Sequence, residues 1–272
     1  MRLSGPIFAK TPDAASWVAA VKNAGYTAAS LPIGPESPDQ TVQEILDAAQ
    51  GADIVLTEIG AWSNPIDPDL EKAKKAILHC QQSLAWAEKT GARCCVNIAG
   101  SRNPQKWDGP HPNNFSPATF DLIVQTTREI IDAVNPTRTF YTLETMPWIF
   151  PSSPDEYLAL IRAIDRPGFA VHLDPVNMIN CPDRAYRSGE FIRDCFAKLG
   201  PYIKSCHAKD IILRENLTVH LDECRPGLGT LDYRVFLDEL AKLDPDIPLA
   251  LEHLNTEEEY TAAANHIRGM MK

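Results

Sequence analysis

TFYTLETMPWIFPSSPDEYLALIRAIDRPGFAVHLDPVN, residues 139–177, decides the reading of the fold. Residues 139–145 are apolar and β-branched in the manner of a strand, and Pro147 stands where the chain must leave it. Ser153 then occupies an N-cap position ahead of apolar residues at helical spacing, and residues 169–174 form a second short apolar run closed by Pro175. Strand, helix and strand in one short span make a βαβ unit, which implies parallel pairing.

The same rhythm runs outward in both directions. Residues 3–8, 27–31, 53–58 and 93–98 read as strands before this unit, and residues 203–207 and 249–253 as strands after it. Helices are expected to begin near Thr11, Asp39, Asp67, Ser116, Ser153, Ser188, Leu231 and Thr256. Eight strand–helix units in 272 residues is the count of a (β/α)₈ TIM barrel of the α/β class, whereas a doubly wound sheet uses fewer strands. No Pro/Ser-rich linker or composition shift divides the chain, so one domain is expected over residues 1–272. Residues 100–117 and 211–230 read as enlarged loops after the fourth and seventh strands, on the face where barrels carry catalysis.

Composition narrows the function. With 44% hydrophobic and 23% charged residues the chain can bury a substantial core, which excludes disordered and fibrous classes. The formal charge of −10 with scattered basic residues lacks the footprint that grips phosphate backbones, so nucleic acid is not an expected partner. No apolar run approaches the ~20 residues of a membrane span, and MRLSGPIFAK has no stretch suited to a signal peptide. The seven cysteines form no CxxC pair, and adjacent Cys94 and Cys95 sit in an apolar run that reads as a buried strand. A reduced, cytoplasmic setting follows as the expectation. GxGxxG, P-loop and GxSxG motifs are absent, which removes the main support for nicotinamide, nucleotide and serine-hydrolase chemistry.

The chemistry lies at the ends of the last four strands: LET ends in the region of Glu144, HLDPVN carries Asp174, CHAKD carries His207, and LEHL carries Glu252. Each is separated from the next by one βα unit, with the long loop added before the last. Three carboxylates and one imidazole form a hard donor set for one divalent cation, manganese first, with magnesium, cobalt or zinc as alternatives. Any one of these residues alone reads equally well as an ion-pair or core residue; four at consecutive strand ends point to a site.

This pattern resembles the xylose isomerase-like barrels, the sugar phosphate isomerase/epimerase superfamily. The resemblance is carried by LET, HLDPVN, HAKD and LEH between Thr142 and His253, and the first half of the chain contributes only the strand–helix rhythm. It implies that Glu144, Asp174, His207 and Glu252 are the metal ligands. By similarity to the ketose epimerases it also implies that Glu144 and Glu252 are the catalytic acid and base, acting through an enediolate.

Period-2 alternation adds further residues. His172 lies two positions before Asp174 and is expected to face the same way, as a substrate hydroxyl contact or as a packed core histidine. Lys209 lies two after His207, to hold a substrate oxygen or to pair with Asp210 or another carboxylate. HxKD is closer to the dehydratase-like members than to the epimerases. Asn177 stands where epimerases typically carry a histidine; it suits a sugar hydroxyl or an Asx-turn. Arg225, in the RPGLG loop, suits a carboxylate, phosphate or vicinal hydroxyls, or a solvated turn. Glu58 and Asn97 end the third and fourth strands and are expected to line the mouth as substrate contacts or local caps. Trp62 and Trp148 could wall a sugar face or shield helices, and His253 is expected to pack away from the site.

Two enzymatic expectations follow: a metal-dependent isomerase or epimerase of a small ketose or polyhydroxy ketone, or a lyase/dehydratase of a keto-polyol like inosose dehydratase. A phosphodiesterase like endonuclease IV would need histidines where Glu58, Asn97 and Asn177 stand. A non-catalytic sugar-binding barrel is the remaining alternative. These motifs leave the sugar and the oligomeric state open, a homo-oligomer included.

Overall fold

Side-chain caps set where the helices begin. Asp13, Asp69, Ser116, Ser153, Asp232 and Thr256 each accept a bond from a first-turn N–H that has no intrahelical partner. Gly91, Asn135 and Asp165 end the helices capped by Asp69, Ser116 and Ser153 in the left-handed conformation that releases the chain toward the next strand.

The computed structural model describes residues 1–271. Its elements run β1 (Arg2–Ser4), α1 (Ala14–Asn23), β2 (Ala28–Ala29), α2 (Asp39–Gly51), β3 (Val55–Leu56), β4 (Glu58–Gly60), α3 (Leu70–Thr90) and β5 (Cys94–Ile98). There follow α4 (Pro117–Val134), β6 (Tyr141–Glu144), α5 (Pro154–Ile164), β7 (Phe169–Leu173), α6 (Pro175–Met178), α7 (Pro182–Tyr186) and α8 (Ser188–Leu199). The chain closes with β8 (Ile203–Ala208), β9 (Asp210–Arg214), β10 (His220–Cys224), α9 (Tyr233–Leu240), β11 (Pro248–Leu251) and α10 (Glu257–Met270). Short 3₁₀ turns lie at Pro112–Phe115 and Gly200–Tyr202. Every expected strand and helix is present among the described residues, in the order of a (β/α)₈ barrel.

Contacts divide the chain into two units, each discontinuous in sequence. The first comprises residues 1–57, 179–196 and those from 205 onward. In it β1 runs parallel to β11, with Leu3 opposite Leu249, and β11 parallel to β8, with Ala250 opposite His207. The Thr27 N–H donates to the Leu3 carbonyl at 3.1 Å, leading into β2, which pairs with β3. The second unit comprises residues 58–178 and 197–204. Its strands β4, β5, β6 and β7 are parallel neighbours in that order, with Glu58 opposite Cys94, Val96 opposite Thr142, and Glu144 opposite His172.

Two expectations are corrected. The third strand, read as residues 53–58, is interrupted at Thr57: β3 pairs with β2, and β4 pairs with β5. The stretch read as a long loop over residues 211–230 contains an antiparallel hairpin, with Glu223 of β10 opposite Ile211 of β9. The outer strand of that hairpin is half-exposed to exposed along its length and so lacks an apolar face to mark it. The strands β5, β6 and β7 are buried on both sides, as a parallel sheet covered by helices requires, with Cys94, Cys95 and Val96 fully shielded. All seven cysteines are free thiols, and no helix among the described residues is long and apolar enough to cross a membrane.

Tyr157 of α5 ties β6 to β7. Its buried hydroxyl lies 2.6 Å from the Leu143 carbonyl and 3.1 Å from that of Ala170, and accepts from the N–H groups of Leu143 and His172. Tyr157→Phe removes this partner from buried backbone groups and is expected to lower unfolding stability by about 1–3 kcal/mol, measured by denaturant titration; an unchanged midpoint would show that the ladder satisfies those groups without it.

Candidate metal centre

Parallel register sorts the strand residues by face. Side chains alternate along each strand, so residues aligned across the ladder share a side. Glu58, Val96, Ile98, Thr142, Glu144 and His172 therefore lie on one face of the second unit, and Asn97, Tyr141 and Leu143 on the other. The expectation that Asn97 lines the mouth is corrected by this register. Its amide is fully buried on the opposite side, accepting from the Ser63 N–H at 3.1 Å and approaching Cys80 Sγ and the Tyr141 hydroxyl at 3.3 and 3.4 Å. Glu58 shares the face of Glu144 and His172, with Oε2 3.4 Å from Nδ1 of buried His172.

In the second unit two carboxylates are held by short-range bonds. Asp174 follows β7, and its Oδ1 accepts from the N–H groups of Val176 and Asn177 at 2.9 and 3.2 Å, making an Asx-type start for α6. Asn177 turns its own amide back, donating from Nδ2 to Glu144 Oε1 at 3.1 Å and to the Thr145 carbonyl at 3.0 Å. Thr145 completes the loop by donating to the Asp174 carbonyl at 2.9 Å. Asn177 thus orients Glu144, a role that partners of metal ligands commonly have. Glu144 is 6% exposed and Asp174 fully buried.

The first unit carries the imidazole and the third carboxylate. His207 shares a face with Ala250, and Glu252 lies two residues beyond Ala250 on the chain leaving β11. Nδ1 of His207 approaches Glu252 Oε1 at 2.7 Å. Lys209 reaches the same oxygen at 2.7 Å with its side chain 1% exposed. Burial raises the pKa of Glu252, but the neighbouring His207 and Lys209 outweigh it and hold the carboxyl well below the usual range.

The alternative partner for Lys209, Asp210, is occupied elsewhere. Its carboxylate accepts four backbone bonds, from Ile211, Gly227, Gly229 and Leu231, at 2.9 to 3.1 Å, and so staples the RPGLG loop. Gly227 has φ of +92°, and a Cβ at Gly229 would meet the Asp210 carboxylate, which explains both glycines. Arg225 donates to the Pro226 carbonyl at 3.3 Å, within its own loop. His253, expected to pack, is 59% exposed: its φ of +57° turns it outward, where Nδ1 meets both oxygens of Glu223 at 3.0 and 3.1 Å. Trp148 donates to the Asp108 carbonyl at 2.7 Å and so anchors the loop after β5, while Trp62 stays exposed. Glu223, beside Lys209 and His253, escaped the sequence reading because it belongs to the unrecognised hairpin.

Among the described residues, Glu144 and Asp174 at the strand ends of the second unit, and His207 and Glu252 at those of the first, each offer a donor of the type that holds a divalent cation.

A search of curated proteins found no match. Among solved structures, D-psicose 3-epimerase with D-tagatose from Clostridium cellulolyticum H10 is 17% identical, covers 100% of both chains, and superposes with a TM-score of 0.71. The probable 3-DHS dehydratase AsbF of petrobactin synthesis from Bacillus anthracis is 18% identical over 98% of this chain and 97% of its own, with a TM-score of 0.71. A xylose isomerase-like TIM barrel protein from Mycobacterium smegmatis in complex with magnesium is 18% identical over 96% and 89%, with a TM-score of 0.66. At such identities these structures share the fold, while the family profile of the xylose isomerase-like TIM barrel matches residues 18–270 directly. On that match the chain belongs to the xylose isomerase-like TIM barrel family.

Proposed function

We propose that this protein is a divalent-metal-dependent isomerase or epimerase of a small ketose or related polyhydroxy ketone. Glu144, Asp174, His207 and Glu252 are its metal ligands, and Glu144 and Glu252 its acid and base. The observation that carries the reading is that each unit gathers part of one donor set at its strand ends: Glu144 and Asp174, linked through Asn177 and Thr145, in the second, and His207 2.7 Å from Glu252 in the first. The bonds from Asn177, and from the N–H groups that hold Asp174, support it by fixing ligand geometry. The donor set suits manganese first and admits magnesium, cobalt or zinc.

A divalent cation held there supplies Lewis acidity that polarises the substrate carbonyl and favours loss of the adjacent proton. The protein supplies the rest. One glutamate removes the proton from the carbon beside the ketone, giving an enediolate, and the other returns a proton to the opposite face or to the neighbouring carbon. Asn177, by donating to Oε1, holds the Glu144 carboxylate in one orientation for proton exchange. His172, Glu58, Lys209 and Arg225 are assigned to the substrate hydroxyls.

A specific observation favours a second reading. Lys209 is buried with its ammonium 2.7 Å from Glu252, a proton donor suited to assist departure of a β-hydroxyl. The same enediolate would then lose water, as in a dehydratase, and the similarity to AsbF accords with this.

Elemental analysis is expected to find about one divalent ion per chain, and Glu144→Gln to lose most of it together with activity; a metal-free protein or a fully active variant would overturn the site. Incubation with a panel of keto-sugars in heavy water separates the two reactions. Deuterium incorporation with recovery of an epimer or aldose supports the isomerase, dehydration supports the second reading, and neither outcome across the panel would sink both.

A further inference from the structure

We propose that Glu223, on the hairpin formed by β9 and β10, is a positioning residue that draws the Lys209 ammonium away from Glu252 when Glu252 binds a cation. The inference rests on the reading of Glu252 as a metal ligand and concerns residues of the first unit alone.

Four side chains form a closed ring of alternating charge type. Lys209 Nζ lies 2.7 Å from Glu252 Oε1 and 3.6 Å from Glu223 Oε2. His253 closes the other side, with Nδ1 3.0 Å from Glu223 Oε1 and Nε2 3.5 Å from Glu252 Oε2. Glu223 therefore touches two of the three groups that approach Glu252, Lys209 and His253. Its place follows from the hairpin register: β9 begins directly after Lys209, and Glu223 pairs with Ile211.

The ring matters because Lys209 and a divalent cation want the same oxygen. Glu252 Oε1 is the atom that Lys209 and His207 both approach. A cation bound there places a like charge beside an ammonium whose side chain is 1% exposed and cannot swing into water. A second carboxylate within reach removes the conflict. Glu223 is that carboxylate: it already forms an ion pair with Nζ at 3.6 Å, and a shift of about an ångström in the flexible lysine stem would bring Nζ within hydrogen-bond distance of Oε2. His253 holds both Glu223 oxygens and fixes the acceptor in place. Without the Glu223 charge, Lys209 remains on Glu252 and competes with the metal.

Manganese binding to the purified, metal-stripped full chain, followed by calorimetry, tests this without any substrate. Glu223 is 33% exposed on the hairpin, so Glu223→Gln is expected to remain folded by circular dichroism. It should weaken manganese binding about tenfold, the lower end of what outer partners of metal ligands contribute. Adding Lys209→Met to Glu223→Gln should restore the affinity, because the competing ammonium is gone, and Glu223→Asp should stay close to wild type. Unchanged affinity in Glu223→Gln overturns the inference and leaves the metal site standing. A double variant as weak as the single one assigns Glu223 a merely structural role and also overturns it. If wild type binds no manganese, magnesium, cobalt or zinc, the metal reading fails first and this inference with it.

Discussion

A carboxylate withdrawn from water must find hydrogen bonds or positive charge, because desolvation of an uncompensated ion costs several kcal/mol or more. Much of this structure answers that demand for the carboxylates at the strand ends. Asp174 is met by two backbone N–H groups at the start of α6, Glu144 by the amide of Asn177, and Glu252 by His207 and Lys209. The supporting groups lie close to their carboxylates in sequence or on the next strand, so each unit assembles its part of the donor set locally. A cation in the proposed site would take over part of the same compensation.

Asp210 illustrates the same demand met for structure instead of chemistry. It is almost completely buried, yet it faces four backbone N–H groups and serves as the anchor of the RPGLG loop. Because Asp210 is saturated, adjacent Lys209 has to find its counter-charge elsewhere, and it finds Glu252 and Glu223. Two neighbouring residues in HAKD thus divide the work, one fixing the loop and the other pairing with Glu252 and Glu223. The loop glycines belong to this arrangement, since their backbone approaches the carboxylate where a side chain would intrude.

Much of the architecture was legible before any coordinates. Strands buried on both faces stand out as short apolar runs between polar helical faces, and Ser116, Ser153 and Thr256 announce their helices because capping is a local interaction. The order of Glu144, Asp174, His207 and Glu252 was legible for a related reason: strand ends in a βαβ series recur at a regular spacing. The hairpin of β9 and β10 was hidden, since an exposed ribbon has no core-facing stripe. Asn97 was misplaced because alternation states which residues share a face but not which face looks inward, and in a sheet covered on both sides each face is apolar.

The sequence by itself determined the α/β class, the count and order of the strand–helix units, and the four ligand-type residues, all of which depend on short-range periodicity and on neighbours along the chain. Tertiary structure alone decided that Asn97 faces away, that Asn177 orients Glu144, that His253 turns outward, and that Glu223 meets Lys209 and His253. Those outcomes depend on ladder register and on the turn of a single residue such as His253, which act between segments distant in the chain and leave no periodic trace within them.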